Sequence, residues 1–165
     1  MSEQPPEQLS ERVVVAPISG VVRALRDVPD PVFAEEMVGP GIAIEPDGDR
    51  LLQVLSPVAG VLHKVQPHAV VVAVPQAGPD AAVLVHLGLD TVRLDGAGFT
   101  VHVHGGRQVH AGTHLLDWDP APTLEADLAL ISPVVLLGTS PKQVRTLARP
   151  GSSVRAGQHL LSWRP

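Results

Sequence analysis

The sequence contains no cysteine and no tyrosine, and aromatic side chains make up only 2% of its 165 residues. Without cysteine there can be no disulfide stapling, no thiolate metal site and no cysteine nucleophile. With so few aromatic rings, a core has to be assembled from Val, Leu, Ile and Ala, a composition that favours strands. An excess of positive charge is also lacking. The formal net charge is −5, and Lys and Arg are scattered singly, so a phosphate backbone meets no basic stripe and nucleic acid is excluded as a partner. No apolar run approaches the roughly 20 residues that a membrane-spanning helix requires. The opening stretch MSEQPPEQLSER has neither the charged-then-apolar pattern of a signal peptide nor an amphipathic periodicity. It predicts a disordered tail over residues 1–12, followed by one domain over 13–165, in a soluble cytoplasmic protein.

What the chain has in quantity is punctuation, with 15 Gly and 17 Pro. They divide it into short apolar runs of strand length: Val13–Ala16, Gly20–Leu25, Gly41–Ile44, Leu51–Leu55, Val70–Val74, Ala82–Leu87 and Val134–Leu137. Many short strands predict an all-β sandwich or barrel. Helical signals are few. Pro31–Met37 and Thr123–Leu130 are each long enough for a turn or two, and Ser140-Pro141 opens a stretch to Leu147 with a cap residue and Pro at the first helical position.

Two internal repeats narrow the fold. Ala16-Pro-Ile-Ser-Gly-Val-Val22 returns as Ser56-Pro-Val-Ala-Gly-Val-Leu62, and Gly106 to Trp118 returns as Gly151 to Trp163, sharing Val-x-Ala-Gly-x-His-Leu-Leu-x-Trp. Each unit reads as strand, Gly turn, strand. The duplication predicts two related β motifs packed face to face around one core, an arrangement that resembles the barrel-sandwich hybrid, here with a few short helical turns. Biotinyl and lipoyl carriers, certain zinc peptidases and phosphotransferase enzyme IIA domains share that architecture, so the fold alone does not choose a function.

The histidines carry the chemistry. His86 lies in the apolar run Ala82-Val-Leu-Val-His-Leu-Gly-Leu-Asp90. An imidazole there is either a satisfied core residue or a half-shielded neutral nucleophile. His68 opens the run that pairs with this one through a loop containing Pro75, Gly78 and Pro79. Two histidines meeting across that hairpin could bind a metal, stabilise a transferring phosphoryl group, or stack. His102 and His104 alternate with Val101 and Val103, which predicts a solvated strand face. His114 and His159 are repeat-equivalent and read as structural, and His63 and His110 as surface.

Beyond these separate signals, a series of motifs runs in collinear order: Asp30-Pro-Val-Phe-Ala-Glu-Glu-Met-Val-Gly-Pro-Gly-Ile-Ala-Ile-Glu-Pro46, Ser56-Pro-Val-Ala-Gly60, His68-Ala69, Val85-His-Leu-Gly-Leu-Asp-Thr-Val92, Gly98-Phe99 and Val109-His-Ala-Gly112. Together they resemble the glucose-type enzyme IIA component of the bacterial phosphoenolpyruvate-dependent sugar phosphotransferase system. The resemblance implies that His86 accepts a phosphoryl group from the histidine-containing phosphocarrier protein and passes it to a cysteine of an enzyme IIB domain, with His68 needed for onward transfer. It further implies that the Gly88 carbonyl holds one ring nitrogen of His86 while Asp90 orients His68. Val32, Phe33, Met37 and Val38 would line a shallow apolar docking depression rimmed by Glu35 and Glu36. Regulatory protein targets are also expected.

No cofactor and no metal are required by that chemistry, although His68 and His86 could bind zinc weakly. The chain departs from the family pattern in having only Gln66-Pro67 before His68, with no threonine two residues upstream. A zinc peptidase is the rival enzyme, because His86-x-x-x-Asp90 and His102-x-His104 superficially supply its ligands. A biotinyl or lipoyl carrier would need a lysine at a hairpin tip, and neither Lys64 nor Lys142 is so placed. A regulatory module that binds partners without relaying phosphoryl groups is the remaining alternative.

Overall fold

The computed structural model describes residues 11–165. Among them are fourteen strands and two short helices. The expected tail 1–12 falls mainly outside the described residues, but its last two positions belong to the fold. Arg12 begins strand β1 (Arg12–Val15), and Glu11 receives a hydrogen bond from Ser162 and pairs with Arg145 and Arg164.

The duplication seen in the sequence is written into the topology. Two three-stranded sheets are built alike: β1, β14 (His159–Trp163) and β12 (Val144–Thr146) form one, and β4 (Leu52–Leu55), β10 (His114–Trp118) and β8 (Phe99–Val101) the other. The third sheet has eight strands in two mirrored halves. One half runs β13 (Ser153–Val154), β2 (Gly20–Arg23), β3 (Gly41–Glu45), β11 (Ser132–Leu137), and continues into β7 (Ala82–His86), β6 (Ala69–Ala73), β5 (Gly60–Gln66), β9 (Gln108–Val109). The two repeat units therefore supply equivalent strands, and the halves meet where β11 and β7 pair antiparallel at the centre. A curled sheet of this kind, closed by two smaller ones, is the expected all-β barrel-sandwich hybrid.

Branched aliphatics fill the interior as the composition requires. Val14, Ile18, Val22, Ile44, Leu62, Val70, Val83, Val85, Val134 and Leu136 are buried in one continuous cluster with Trp118 and Trp163, the last residue of each longer repeat. The central strands β6, β7 and β11 are nearly uniformly apolar because both of their faces are covered.

The helical expectations fare less well. Helix α1 is Pro31–Ala34 and α2 is Ala121–Glu125, each shorter than or offset from the predicted span. Ser140 does cap a turn, with a reciprocal Gln143 contact, but the turn stops at Gln143. Val144 to Thr146 then pair with Trp163 to Leu161 as a strand, so cross-strand pairing overrides a locally good helix start. The strand expected through His102 and His104 ends at Val101, and Val101 is exposed rather than buried.

Candidate functional site

Strands β6 and β7 pair with Ala69 opposite His86, and Val70 opposite Val85. His68 sits one residue before β6, in the two-residue turn Pro67-His68 that joins it to β5, where Gln66 faces Ala69. Proline suits the first corner of such a turn because its φ is already fixed there. The main chain ties the two histidines together: Leu87 N donates to the His68 carbonyl at 2.8 Å. Their rings lie 5.3 Å apart, edge to face at 75°.

The segment after His86 is held tightly. Gly88 has φ +74°, which turns its carbonyl back on the chain to accept a 2.6 Å hydrogen bond from His86 Nδ1. Gly88 N donates to Ser132 Oγ at 3.0 Å, and that hydroxyl donates onward to the Leu130 carbonyl. Leu89 N donates to the Ala129 carbonyl, and Thr91 Oγ1 donates to the Leu87 carbonyl at 2.6 Å. Ser132 and Thr91 are both buried. These bonds pair the Gly88 and Leu89 N–H groups and the Thr91 and Ser132 hydroxyls, which fixes the carbonyl that fixes the ring.

Because Nδ1 donates, it carries the hydrogen, and Nε2 is left with the lone pair. Burial pushes the His86 imidazole below its ordinary value of 6.5, offset in part by the Gly88 bond and by the charges of Asp30 and Asp90. His68 is lowered as well, first by burial and then by His86 itself. Two adjacent imidazoles that both resist protonation are suited to nucleophilic attack and to hydrogen-bond donation at neutral pH.

Of the remaining expected site residues, Asp90 is exposed, and its side chain makes no hydrogen bond to His68; its charge acts on His86 instead. Phe33 is a correction: it is 7% exposed, packed in a second apolar cluster with Leu25, Val28, Ala43 and Val135, and its ring lies 5.4 Å from that of His86. It walls the histidine, buried where its neighbours in the segment are exposed. Val32, Met37 and Val38 are exposed as expected. Glu35 and Glu36 are exposed beside them. Asp30, which caps α1 through a bond from Val32 N, Ser132 and Thr91 are site residues that the sequence reading missed. Asp30 followed by Pro31 is a recognisable cap signal, whereas the contact of Ser132 with Gly88 spans 44 residues and has no local signature.

The peptidase ligand set does not assemble. His102 bonds to Asp117, and among the described residues the one cluster with metal-ligand geometry is His102, His114 and Asp117, without His86, Asp90 or His104.

With this geometry in view, the comparisons with known proteins are consistent with one another. The family model for the phosphoenolpyruvate-dependent sugar phosphotransferase system, EIIA 1, matches residues 12–142. The chain belongs to that family. It is 40% identical over 141 residues to the glucose-specific EIIA component of Oceanobacillus iheyensis, covering 84% of this chain and 80% of that one. It is 43% identical over 123 residues to part of the mannose-specific EIIBCA component of Corynebacterium glutamicum, 74% of this chain but 17% of that protein. The structure of glucose permease IIA from Mycoplasma capricolum superposes with a TM-score of 0.81 at 30% identity, covering 93% of this chain and 96% of the other. This EIIA chain is a phosphotransferase component, a phosphoryl carrier of the sugar phosphotransferase system. Among the described residues no helix is long and apolar enough to cross a membrane.

Proposed function

We propose that this EIIA chain relays its phosphoryl group through Nε2 of His86. The group arrives from the phosphohistidine of the histidine-containing phosphocarrier protein and leaves to a cysteine thiolate of an enzyme IIB domain, in the cytoplasm. The observation that carries this reading is the 2.6 Å bond from His86 Nδ1 to the Gly88 carbonyl. It selects the tautomer whose Nε2 lone pair can attack phosphorus while the donor's P–N bond breaks and its electron pair returns to the donor imidazole. With a hydrogen on the donor ring's other nitrogen, the donor leaves as a neutral imidazole and no proton has to be moved in that step.

Phosphoryl transfer of this kind has a loose transition state with charge on the equatorial oxygens, so the protein's contribution is alignment and electrostatic stabilisation. His68 supplies a ring N–H toward those oxygens from its edge-on position beside His86. Val32, Met37 and Val38 exclude water around the transfer, and Glu35 and Glu36 steer a basic donor. An IIB acceptor is supported by relatives that carry both parts in one chain by name, the EIIBCA protein of Corynebacterium glutamicum and the glucosamine-specific EIICBA component of Bacillus subtilis. Incubation with phosphoenolpyruvate and the two general phosphotransferase proteins, followed by intact mass and site mapping, tests the reading. One acid-labile phosphoryl group on His86 is the expected result. Absence of labelling, or labelling elsewhere, overturns it.

A further inference from the structure

A second group of titratable side chains lies on the sheet formed by β4, β10 and β8, apart from His68 and His86. Asp117 Oδ2 accepts from His102 Nε2 at 2.7 Å, and Asp117 Oδ1 accepts from His114 Nε2 at 2.8 Å. The two imidazole rings are 5.1 Å apart. Along a regular strand, residues three apart point to opposite faces. Here the register of β10 against β4 shifts between His114 and Leu116, so both Leu115 and Leu116 are buried and His114 is turned to the face of Asp117. His102 is brought up from the end of β8 by its N–H, which donates to the Leu115 carbonyl at 3.0 Å.

The duplicated motif supplies an internal comparison. In the second copy, Leu147 N donates to the Leu160 carbonyl at 3.0 Å, repeating the His102 to Leu115 contact. The side chains there are Leu147, His159 and Ser162 in place of His102, His114 and Asp117. Both copies carry the histidine of the Gly-x-His-Leu-Leu turn, whereas the second copy builds the same strand pairing with Leu and Ser at the other two positions. His102 and Asp117 are therefore additions to the scaffold. Their exposed hydrogen bonds contribute little to stability.

We propose that His102 Nε2, His114 Nε2 and a carboxylate oxygen of Asp117 form a binding site for a divalent transition-metal ion of the zinc type, with its fourth position open to solvent. Two imidazoles and a carboxylate are a zinc ligand set, and zinc bonds of about 2.0–2.2 Å put tetrahedral ligand atoms roughly 3.3 Å apart. The three ligand atoms already lie within 4.8 Å of one another, so small side-chain rotations admit the ion. The metal would take the place of the Nε2 hydrogens, and each neutral ring bound through Nε2 would carry its one hydrogen on Nδ1, the tautomer exchanging through solvent.

The test is calorimetric titration of the full chain with zinc chloride in a His68→Gln/His86→Gln background, which removes the other imidazole pair. One bound ion is expected. His102→Leu and Asp117→Ser, each introducing the residue that the second copy already accommodates, should weaken binding at least about tenfold. Nitrogen NMR of the native chain reads the same event without any substitution: zinc should move the Nε2 resonances of His102 and His114. No binding in the double-Gln protein, binding unchanged by both variants, or zinc shifts confined to other histidines would overturn the proposal.

Discussion

The carbonyl of Gly88 points back at the imidazole two residues before it, and it can do so only because Gly88 adopts φ +74°. A Cβ at this position would lie 2.7 Å from Thr91 Cγ2 and 2.8 Å from the Ala129 carbonyl oxygen. Gly88→Ala is therefore expected to destabilise the fold by about 1–3 kcal/mol and to release the tautomer of His86. Nitrogen NMR of the His86 ring and phosphoryl-acceptance rates measure the second effect, calorimetric melting the first. A variant with the native tautomer and native rate would show that another contact positions the ring.

Ser132→Ala probes the support one step further out. It removes the acceptor of the Gly88 N–H in a buried setting and leaves that group unpaired, at a cost of about 1–3 kcal/mol. Acceptance should slow less than in Gly88→Ala, because the glycine keeps its conformation. Denaturant midpoints alongside single-turnover labelling separate the two outcomes.

The two histidines should divide the work. His86→Ala is expected to abolish labelling, whereas His68→Gln should still accept a phosphoryl group but pass it to an enzyme IIB domain at least about tenfold more slowly. Rapid-quench kinetics for each half-reaction would reveal it. Equal loss of both half-reactions in His68→Gln would place His68 in acceptance as well as in onward transfer.

The pH dependence follows from the direction in which burial moves both rings. Each folded imidazole lies below the ordinary 6.5, so below that pH the unfolded chain binds protons that the native protein does not. Stability from these groups is fully present above 6.5 and is lost as pH falls through the lowered native values. The melting temperature should decline below pH 6.5 more steeply for the native chain than for His68→Gln/His86→Gln, and the difference between the two curves cancels contributions from other groups. Phosphoryl acceptance should hold level down to 6.5 and fall only beneath it. Parallel melting curves would mean that neither ring is held neutral by the fold.

The sequence carried the architecture because the architecture is repeated. Two copies of Val-x-Ala-Gly-x-His-Leu-Leu-x-Trp imply two copies of one strand pairing, and the apolar runs at Val70 and Ala82 announced the central strands that set His68 beside His86. Sequence could not show what depends on distant packing. Phe33 looked like its exposed neighbours Val32, Met37 and Val38, but a cluster including Val135 and Ala43 encloses it. His114 looked structural because it is duplicated; the bulge beside it recurs at His159, and only its contacts with the Asp117 carboxylate and the His102 ring show that its surroundings differ between the copies. The helix expected after Ser140 was misjudged for the same reason: Trp163, which lies opposite Val144, is the last of the repeat residues and far along the chain.

Exposure separates the residues of the docking segment, and that separation makes the final prediction specific. Met37 is 68% exposed and Val38 37%, against 7% for Phe33. If the apolar patch seats partner proteins, Met37→Glu and Val38→Glu should slow transfer from the phosphocarrier protein by about tenfold or more, with melting temperatures close to native, because neither side chain is fully packed in the core. Phe33→Ala should behave differently. It opens a cavity beside His86 and should cost about 3–5 kcal/mol, so its loss of transfer would come with a loss of fold. Added salt should slow the native reaction by screening Glu35 and Glu36 from a basic donor, and Glu35→Gln/Glu36→Gln should reduce that salt sensitivity. Stopped-flow transfer rates against ionic strength, together with melting curves for each variant, provide the measurement. Native rates in Met37→Glu and Val38→Glu would move the partner surface away from this segment, and unfolding of either would assign it to the core.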